Sequence, residues 1–159
     1  MTYQELPPHS RVWIYQSDRI LSENEVADIN ARAEEFITNW NAHGAALSAA
    51  FTLVNNLFLI FFVDESKAKA SGCSIDSSVG FIKHIEKRFN LDLFNRLNIA
   101  YEVDGELGIA KMAEFQQLLA EGKLTEDTVV YNNLVATKEE FEKGWRTTVS
   151  SSWHAKLLA

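Results

Sequence analysis

A chain of 159 residues, 47% hydrophobic and 23% charged, has the make-up of a globular protein. At that length it can bury roughly 70% of its unfolded surface with no disulfide or metal staple. Fifteen basic against 22 acidic residues give a formal charge of −7; with no clustered Lys/Arg stripe to offset it, this argues against nucleic acid as a partner.

The opening stretch MTYQELPPHSR lacks the basic and apolar regions of a signal peptide. Pro7 and Pro8 keep it non-helical, and the β-branched and aromatic run from Arg11 to Ser17 predicts a strand. Ser22 and Glu25 stand at capping-box spacing. Val26, Ile29, Ala33, Phe36, Ile37 and Trp40 follow at helical intervals, and His43-Gly44 supplies the stop. Two strand-like runs, Leu47 to Val54 and Leu57 to Val63, flank Asn55-Asn56, a pair that tolerates positive φ and so predicts a tight hairpin. The second run barely alternates, as expected of a central strand covered on both faces. As the longest apolar run, it is too short to span a bilayer. Ile75, Val79, Ile82, Ile85 and Phe89 mark a second amphipathic helix. NIAYEVDGELGIAKM then reads as a hairpin turning at Asp104-Gly105.

The order strand, helix, strand, strand, helix, strand predicts an α+β fold: a ferredoxin-like βαββαβ antiparallel sheet with helices on one face, over residues 1–97. The rest, 98–159, is expected to form a small C-terminal lobe. In it, Phe115, Leu118 and Leu119 lie on a short helix closed by Gly122, and DTVVYNNLV is a strand. Thr137 and Glu140 open a further helix, and WRTTVSSSW extends a sheet edge. No Gly/Pro/Ser-rich linker marks the boundary.

Cys73 is the sole cysteine. It cannot make an intrachain disulfide, which fits a reducing, cytoplasmic compartment. Its place near a helix N-terminus can favour a thiolate, whereas Asp64, Glu65 and Asp76 nearby would oppose one. A Cys–His pair needs contact of about 3 Å, and His84, eleven residues on, would lie about 16 Å along the helix axis. Only His43 or His154 could approach, through tertiary folding. Cys73 is thus a catalytic thiol or a small packing residue. The surrounding Ser71, Gly72, Ser74, Asp76, Ser77 and Ser78, with Asp64, could cradle an anion or ligand, or the serines could simply cap the helix. No phosphate loop, zinc spacing among His9, His43, His84 and His154, calcium loop, or Gly-x-Ser-x-Gly occurs. The expectation is therefore no metal and no cofactor.

Trp13, Trp40 and the many phenylalanines read as core. Trp145 and Trp153 flank a polar segment near Lys143, Arg146, His154 and Lys156. They could form a recognition surface or dock the last strand.

Two resemblances arise from these strings. RVWIYQSDR, FFVDESKAKASGCSIDSSVGFIKHIEKRFNLDLFNRLNIAY and VVYNNLV together resemble a family of small bacterial proteins often labelled "ABC transporter ATPase". The match covers nearly the whole chain, and the stretch Gly72–Ser78 is its most recognisable feature. With no phosphate loop and no Leu-Ser-Gly-Gly-Gln signature, the label's ATPase activity is not expected. AYEVDGELGIAKMAEFQQLLAEGKLTEDTVVYNN with Trp145 is similar to bacterial GYF-like modules through Tyr101, Gly105, Phe115, Leu118, Gly122, Lys123, Thr128, Val130 and Trp145. That resemblance implies a small interaction module that binds peptides through exposed aromatics, although the naming tripeptide is absent. Here Tyr101, Tyr131, Trp145 and Trp153 would supply the contact area.

The function expected from the sequence is non-catalytic binding of a protein, peptide or small ligand. The alternative is a thiol enzyme or redox sensor using Cys73. An open sheet edge could also pair two copies into a homodimer.

Overall fold

The computed structural model describes residues 2–66 and 68–158, and it is α+β with antiparallel sheets. The chain divides into two units, Met1–Phe94 with Ala136–Glu139, and Asn95–Val135 with Glu140–Ala159.

The first unit is built on strands β1 (Arg11–Gln16), β4 (Ser48–Val54) and β5 (Phe58–Asp64), in the order β1-β5-β4. Every residue from Phe58 to Val63 is fully buried, as the unbroken apolar run requires. Alternation along β5 sends Leu59, Phe61 and Val63 into one core with Ile29, Ile82 and Ile85 from the helices. Phe62 points the other way and stacks on Tyr3 at 4.5 Å between ring centroids. The hairpin between β4 and β5 turns where expected, with Asn55 at φ 54° and Asn56 at φ 53°.

Helix α1 (Glu23–Thr38) starts on the anticipated capping box: Glu25 N–H donates to Ser22 Oγ at 3.2 Å, and Ser22 N–H donates back to Glu25 Oε1 at 2.9 Å. Arg19 grips the Glu25 carboxylate with two hydrogen bonds, of 2.9 and 2.7 Å, and donates to the Phe89 carbonyl at 2.8 Å. The guanidinium, and then the Ser22 amide, hold the Glu25 carboxyl down at about 2. One side chain thus ties the start of α1 to the end of α2 (Gly72–Phe89). The α1 stop differs from the expectation. The helix ends at Asn39, and His43 and Gly44, at φ 52° and 81°, turn a small hairpin between β2 (Asn41–Ala42) and β3 (Ala45–Ala46).

The first sheet has three strands among the described residues, not the four expected of a ferredoxin-like fold. The strand anticipated as its last member, β6 (Asn98–Val103), pairs with β7 (Glu106–Lys111) and β8 (Val129–Tyr131) in a second sheet. A returning segment meets the outer edge of β1 instead: Thr137 bridges Arg11, and Val12 N–H donates to the Ala136 carbonyl at 3.0 Å. This return also buries Lys138, whose ammonium donates to the carbonyls of Leu6 at 2.7 Å and Gln4 at 3.2 Å. Lys138 opens α4 (Lys138–Gly144), and its role as a clasp for the N-terminal segment has no local sequence signature.

The second unit carries a four-stranded sheet ordered β7-β6-β8-β9, with β9 (Arg146–Thr148) at the expected edge. Asp104 and Gly105, at φ 53° and 79°, make the predicted turn. Helix α3 (Met112–Ala120) places Phe115 in a core with Ile99, Ala110, Leu124, Val130 and Val149. His154 is 1% exposed beside this core, with its Nδ1 2.6 Å from Ser152 Oγ. Burial alone pushes its pKa down from 6.5 to about 4.

Two outcomes follow from these buried groups. Lys138→Ala removes a charged donor from two backbone carbonyls, so it should cost about 2 kcal/mol and speed proteolysis within residues 2–10; chemical denaturation and limited digestion measure both. The folded state favours neutral His154. Its contribution, on the order of 3 kcal/mol, is present above pH 6.5 and is lost progressively as pH falls toward about 4. His154→Gln should flatten that stretch of the stability–pH curve, as read by urea unfolding at stepped pH.

Candidate functional site

A concavity of about 670 Å³ in the first unit runs along the seam of α1 and α2. The two helices are antiparallel neighbours: the Trp40 indole N–H donates to the Ser74 carbonyl at 2.8 Å at one end, and Arg88 lies 3.6 Å from Asp28 at the other. Between these ties, Phe36 and Phe81 stack at 4.9 Å, and Phe36 meets Trp40 at 5.2 Å. These rings form an apolar floor. The rim is polar: Arg32, Glu35 and Asn39 from α1, Asn41 and His43 from the small hairpin, and Ser71, Cys73, Ser77 and His84 from α2. Helical spacing explains both rows, since positions 32, 35 and 39, and positions 73, 77 and 84, return to one face.

The interactions inside the groove restrict what each group can do. Arg32 is held by Asp28 at 2.9 Å through Nε, and its Nη1 lies 3.4 Å from His84 Nε2. A guanidinium only donates, so this contact makes Nε2 the acceptor and puts the proton of neutral His84 on Nδ1. Ser71 caps α2 by accepting from Ser74 N–H at 3.1 Å, and the hydroxyl of Ser74 donates to the Ser71 carbonyl at 2.8 Å. Ser77 donates to the Cys73 carbonyl at 3.0 Å, and Ser78 to the Ile75 carbonyl at 2.6 Å. All four hydroxyls serve the helix backbone. Cys73 is exposed, and among the described residues its thiol has no hydrogen-bond partner.

The structure therefore divides the ligand loop expected from sequence. Ser71, Cys73, Ser74 and Ser77 line the groove, whereas Gly72, Asp76, Ser78 and Asp64 are not among its lining residues. Asp76 is exposed on α2 and Ser78 is turned into the core. Asp64 accepts from both the amide and the hydroxyl of Ser66 and lies 3.5 Å from His9; the Ser66 hydrogen bonds hold its carboxyl below the usual range. It is spoken for at the end of β5. His43 and His84 both reach the groove; His154 belongs to the second unit. Arg32, Glu35, Asn39 and Asn41 are the lining residues that sequence reasoning passed over. Their only signal was a shared polar flank on α1 and the turn after it. Among the described residues, no three His, Cys, Asp or Glu side chains gather to hold a metal ion.

The aromatic set proposed as a partner surface needs correction. Tyr131 and Trp145 are buried: their rings lie 4.7 Å apart, and Trp145 also stacks on Phe141 at 4.8 Å. Burial, and then the neighbouring Glu102, raise the Tyr131 phenol to about 12. Trp153 is half-buried and stacks on His154 at 3.9 Å. Tyr101, also half-buried, lies across Gly108, where any Cβ would come 2.5 Å from its ring. It borders a second concavity of about 520 Å³ with Leu107, Leu118, Lys123 and Leu124. Aromatic side chains in this unit mainly fill its interior.

No family model, curated protein or solved structure matches this chain. No helix among the described residues is long and apolar enough to cross a membrane.

The open position of Cys73 has a direct consequence. Iodoacetamide should modify the folded protein completely at that one residue, at a rate within about tenfold of that in urea; intact-mass time courses in both conditions measure the ratio. A thiol that reacts only after unfolding would contradict the exposed placement.

Proposed function

We propose that this is a non-catalytic binding protein whose first unit receives a small organic ligand in the α1/α2 groove. The observation that carries the reading is the pairing of an aromatic floor, Phe36, Trp40 and Phe81, with a polar rim from three separate elements. Binding sites for small molecules combine these two features: apolar area for affinity and a few polar groups for orientation. A flat ligand would lie on the Phe36/Phe81 pair and take hydrogen bonds from Arg32, His84 or the amides of Asn39 and Asn41. The serines, occupied by the helix backbone, favour a groove that binds over one that performs acyl transfer.

A thiol-dependent role for Cys73 is the second reading. It is favoured by the exposure of the sulfur on the same groove as His43 and His84. Among the described residues no base is in hydrogen-bond contact with the thiol, a contact that nucleophilic catalysis uses. Cys73→Ser separates the two roles, since it leaves the floor and rim intact.

The fold resemblances enter the same proposal. The order β1-β5-β4 with two helices on one face supports a ferredoxin-like reading of the first unit in which the returning segment stands at the fourth-strand position. The hairpin at Asp104-Gly105, the short α3 and the Tyr101 groove support a GYF-like reading of the second unit, with Tyr101 as its remaining contact aromatic.

The test uses indole and benzimidazole as flat probes at up to about 10 mM, the range in which ligands of this size bind, with amide and indole N–H resonances followed by NMR. Both should shift the Trp40 indole signal and residues of the two rims. Ser77→Trp, which fills the groove from an exposed position, should abolish the shifts, and Cys73→Ser should preserve them. Probes that leave α1 and α2 unperturbed, or that bind the Ser77→Trp protein equally well, would refute the site.

A further inference from the structure

The α1/α2 groove is not electrically uniform along its length. Antiparallel packing sets the two helices against each other in successive levels: Arg32 beside His84, then Phe36 on Phe81, then Trp40 at Ser74. At the first level Arg32 gives Nε to one oxygen of Asp28 at 2.9 Å, and Arg88 approaches the other oxygen at 3.6 Å. Two guanidiniums thus share one carboxylate. The last two turns of α2 add Lys83 and Lys87, while the Glu86 carboxylate there is taken by the Leu93 amide at 2.7 Å. Among the described lining residues Glu35 carries the one carboxylate, exposed to solvent a turn along α1 from Arg32. This end of the groove is therefore positive in a chain of net charge −7. It also has donors to offer: among the described residues, no hydrogen bond engages Nη2 of Arg32 or Nδ1 of His84.

We propose that the groove is selective for a flat aromatic carboxylate, with its ring on Phe36 and Phe81 and its carboxylate between Arg32 and His84. This rests on the groove being a small-ligand site and adds the charge and orientation of the ligand. Positions three to four residues apart on a helix are separated by about 4.5–6 Å along the axis, a reach suited to a ring with its carboxylate on a one-carbon arm. A guanidinium and an imidazolium both donate, and hydrogen bonds to an ionised acceptor are the stronger kind. Binding also changes the state of His84. Neutral His84 accepts from Arg32 at 3.4 Å; with a carboxylate between them its Nε2 becomes a donor, so the imidazole takes up one proton from solvent. The carboxylate then offsets the repulsion between the two cations. The charged groups around His84 are Arg32, Asp28 and Glu35 on α1 and Lys83, Lys87 and Arg88 on its own helix. Cys73 lies about three turns away along α2, and His43 lies in the small hairpin beyond the end of α1.

The experiment titrates indole-3-acetate and neutral indole-3-acetamide, which share a ring and differ in charge, into the full chain at about pH 6 and about pH 7.5, both above the carboxylate range. Backbone amide and histidine-ring resonances are followed by NMR. At the lower pH the acetate should bind about tenfold more tightly than the acetamide and move the His84 ring toward its protonated spectrum. Its affinity should fall about threefold by the higher pH, as uptake of one proton requires, while that of the acetamide stays level. Arg32→Gln should remove most of the preference for the acetate, and His84→Gln should remove the pH dependence. Equal affinity for the two probes at both pH values, with α1 and α2 shifted by each, overturns the carboxylate assignment and leaves the groove a site for neutral ligands. An acetate preference that survives Arg32→Gln overturns it too, because the carboxylate then lies elsewhere. If neither probe perturbs α1 or α2, the groove reading itself fails and this inference with it. The His84 ring shift decides the matter even if a variant fails to fold: a ring that bound acetate leaves unchanged overturns the proposal.

Discussion

The first unit depends on burying β5 on both faces. Seven consecutive apolar positions from Leu57 to Val63 have no solvent side, so each face of the strand must be covered by something else. Burial of a Phe, Leu or Ile side chain stabilises by about 1.5–3 kcal/mol, which makes this strand the largest local source of hydrophobic free energy in the unit. The helix pair covers Leu59, Phe61 and Val63. On the opposite face Tyr3 stacks on Phe62, and Lys138 fastens the backbone of the same N-terminal segment. A segment of such ordinary composition stays in place because a buried strand requires a cover.

The groove follows from the same requirement. With their apolar stripes committed to β5, α1 and α2 must expose the opposite flanks, and their antiparallel seam leaves a furrow between them. Phe36 and Phe81 stand at the margin of both surfaces, partly in the core and partly on the groove floor. The Arg19–Glu25 pair and the Trp40–Ser74 hydrogen bond hold the two helices together near opposite ends of the seam. A binding site on this seam therefore rests on the core that forms the fold.

Several features were legible in the sequence because their causes lie within a few residues. The pairs Asn55-Asn56 and Asp104-Gly105 adopt positive φ wherever they meet two strand-like runs. Ser22 and Glu25 cap each other across one turn, and the periodicities of α1 and α2 identify their buried faces. The same reasoning misjudged His43-Gly44, whose left-handed conformations suit a helix stop and a hairpin turn equally well; the pairing of Asn41 with Ala46 selects the hairpin. It also credited Tyr131 and Trp145 with exposure, because a polar neighbourhood in sequence says nothing about the ring packing between Tyr131, Phe141 and Trp145.

For the site, the sequence placed Ser71, Cys73, Ser74 and Ser77 at one helix start but could not say what faced them. Arg32 and Glu35 from α1, and His43 from the small hairpin, join them only through tertiary packing of segments distant in the chain. Strand pairing has the same limit. The run 98–103 has the β-propensity to complete either sheet, and its docking on β7 and β8 is decided by which long-range contacts bury more surface in a consistent register. By itself, then, the sequence determined the two amphipathic helices, the hairpins at Asn55-Asn56 and Asp104-Gly105 and the central strand, since backbone sterics and side-chain periodicity act locally. The tertiary structure alone decided which strands share a sheet and which residues face Cys73 across the groove. Those outcomes depend on a competition among distant surfaces that no short stretch of chain encodes.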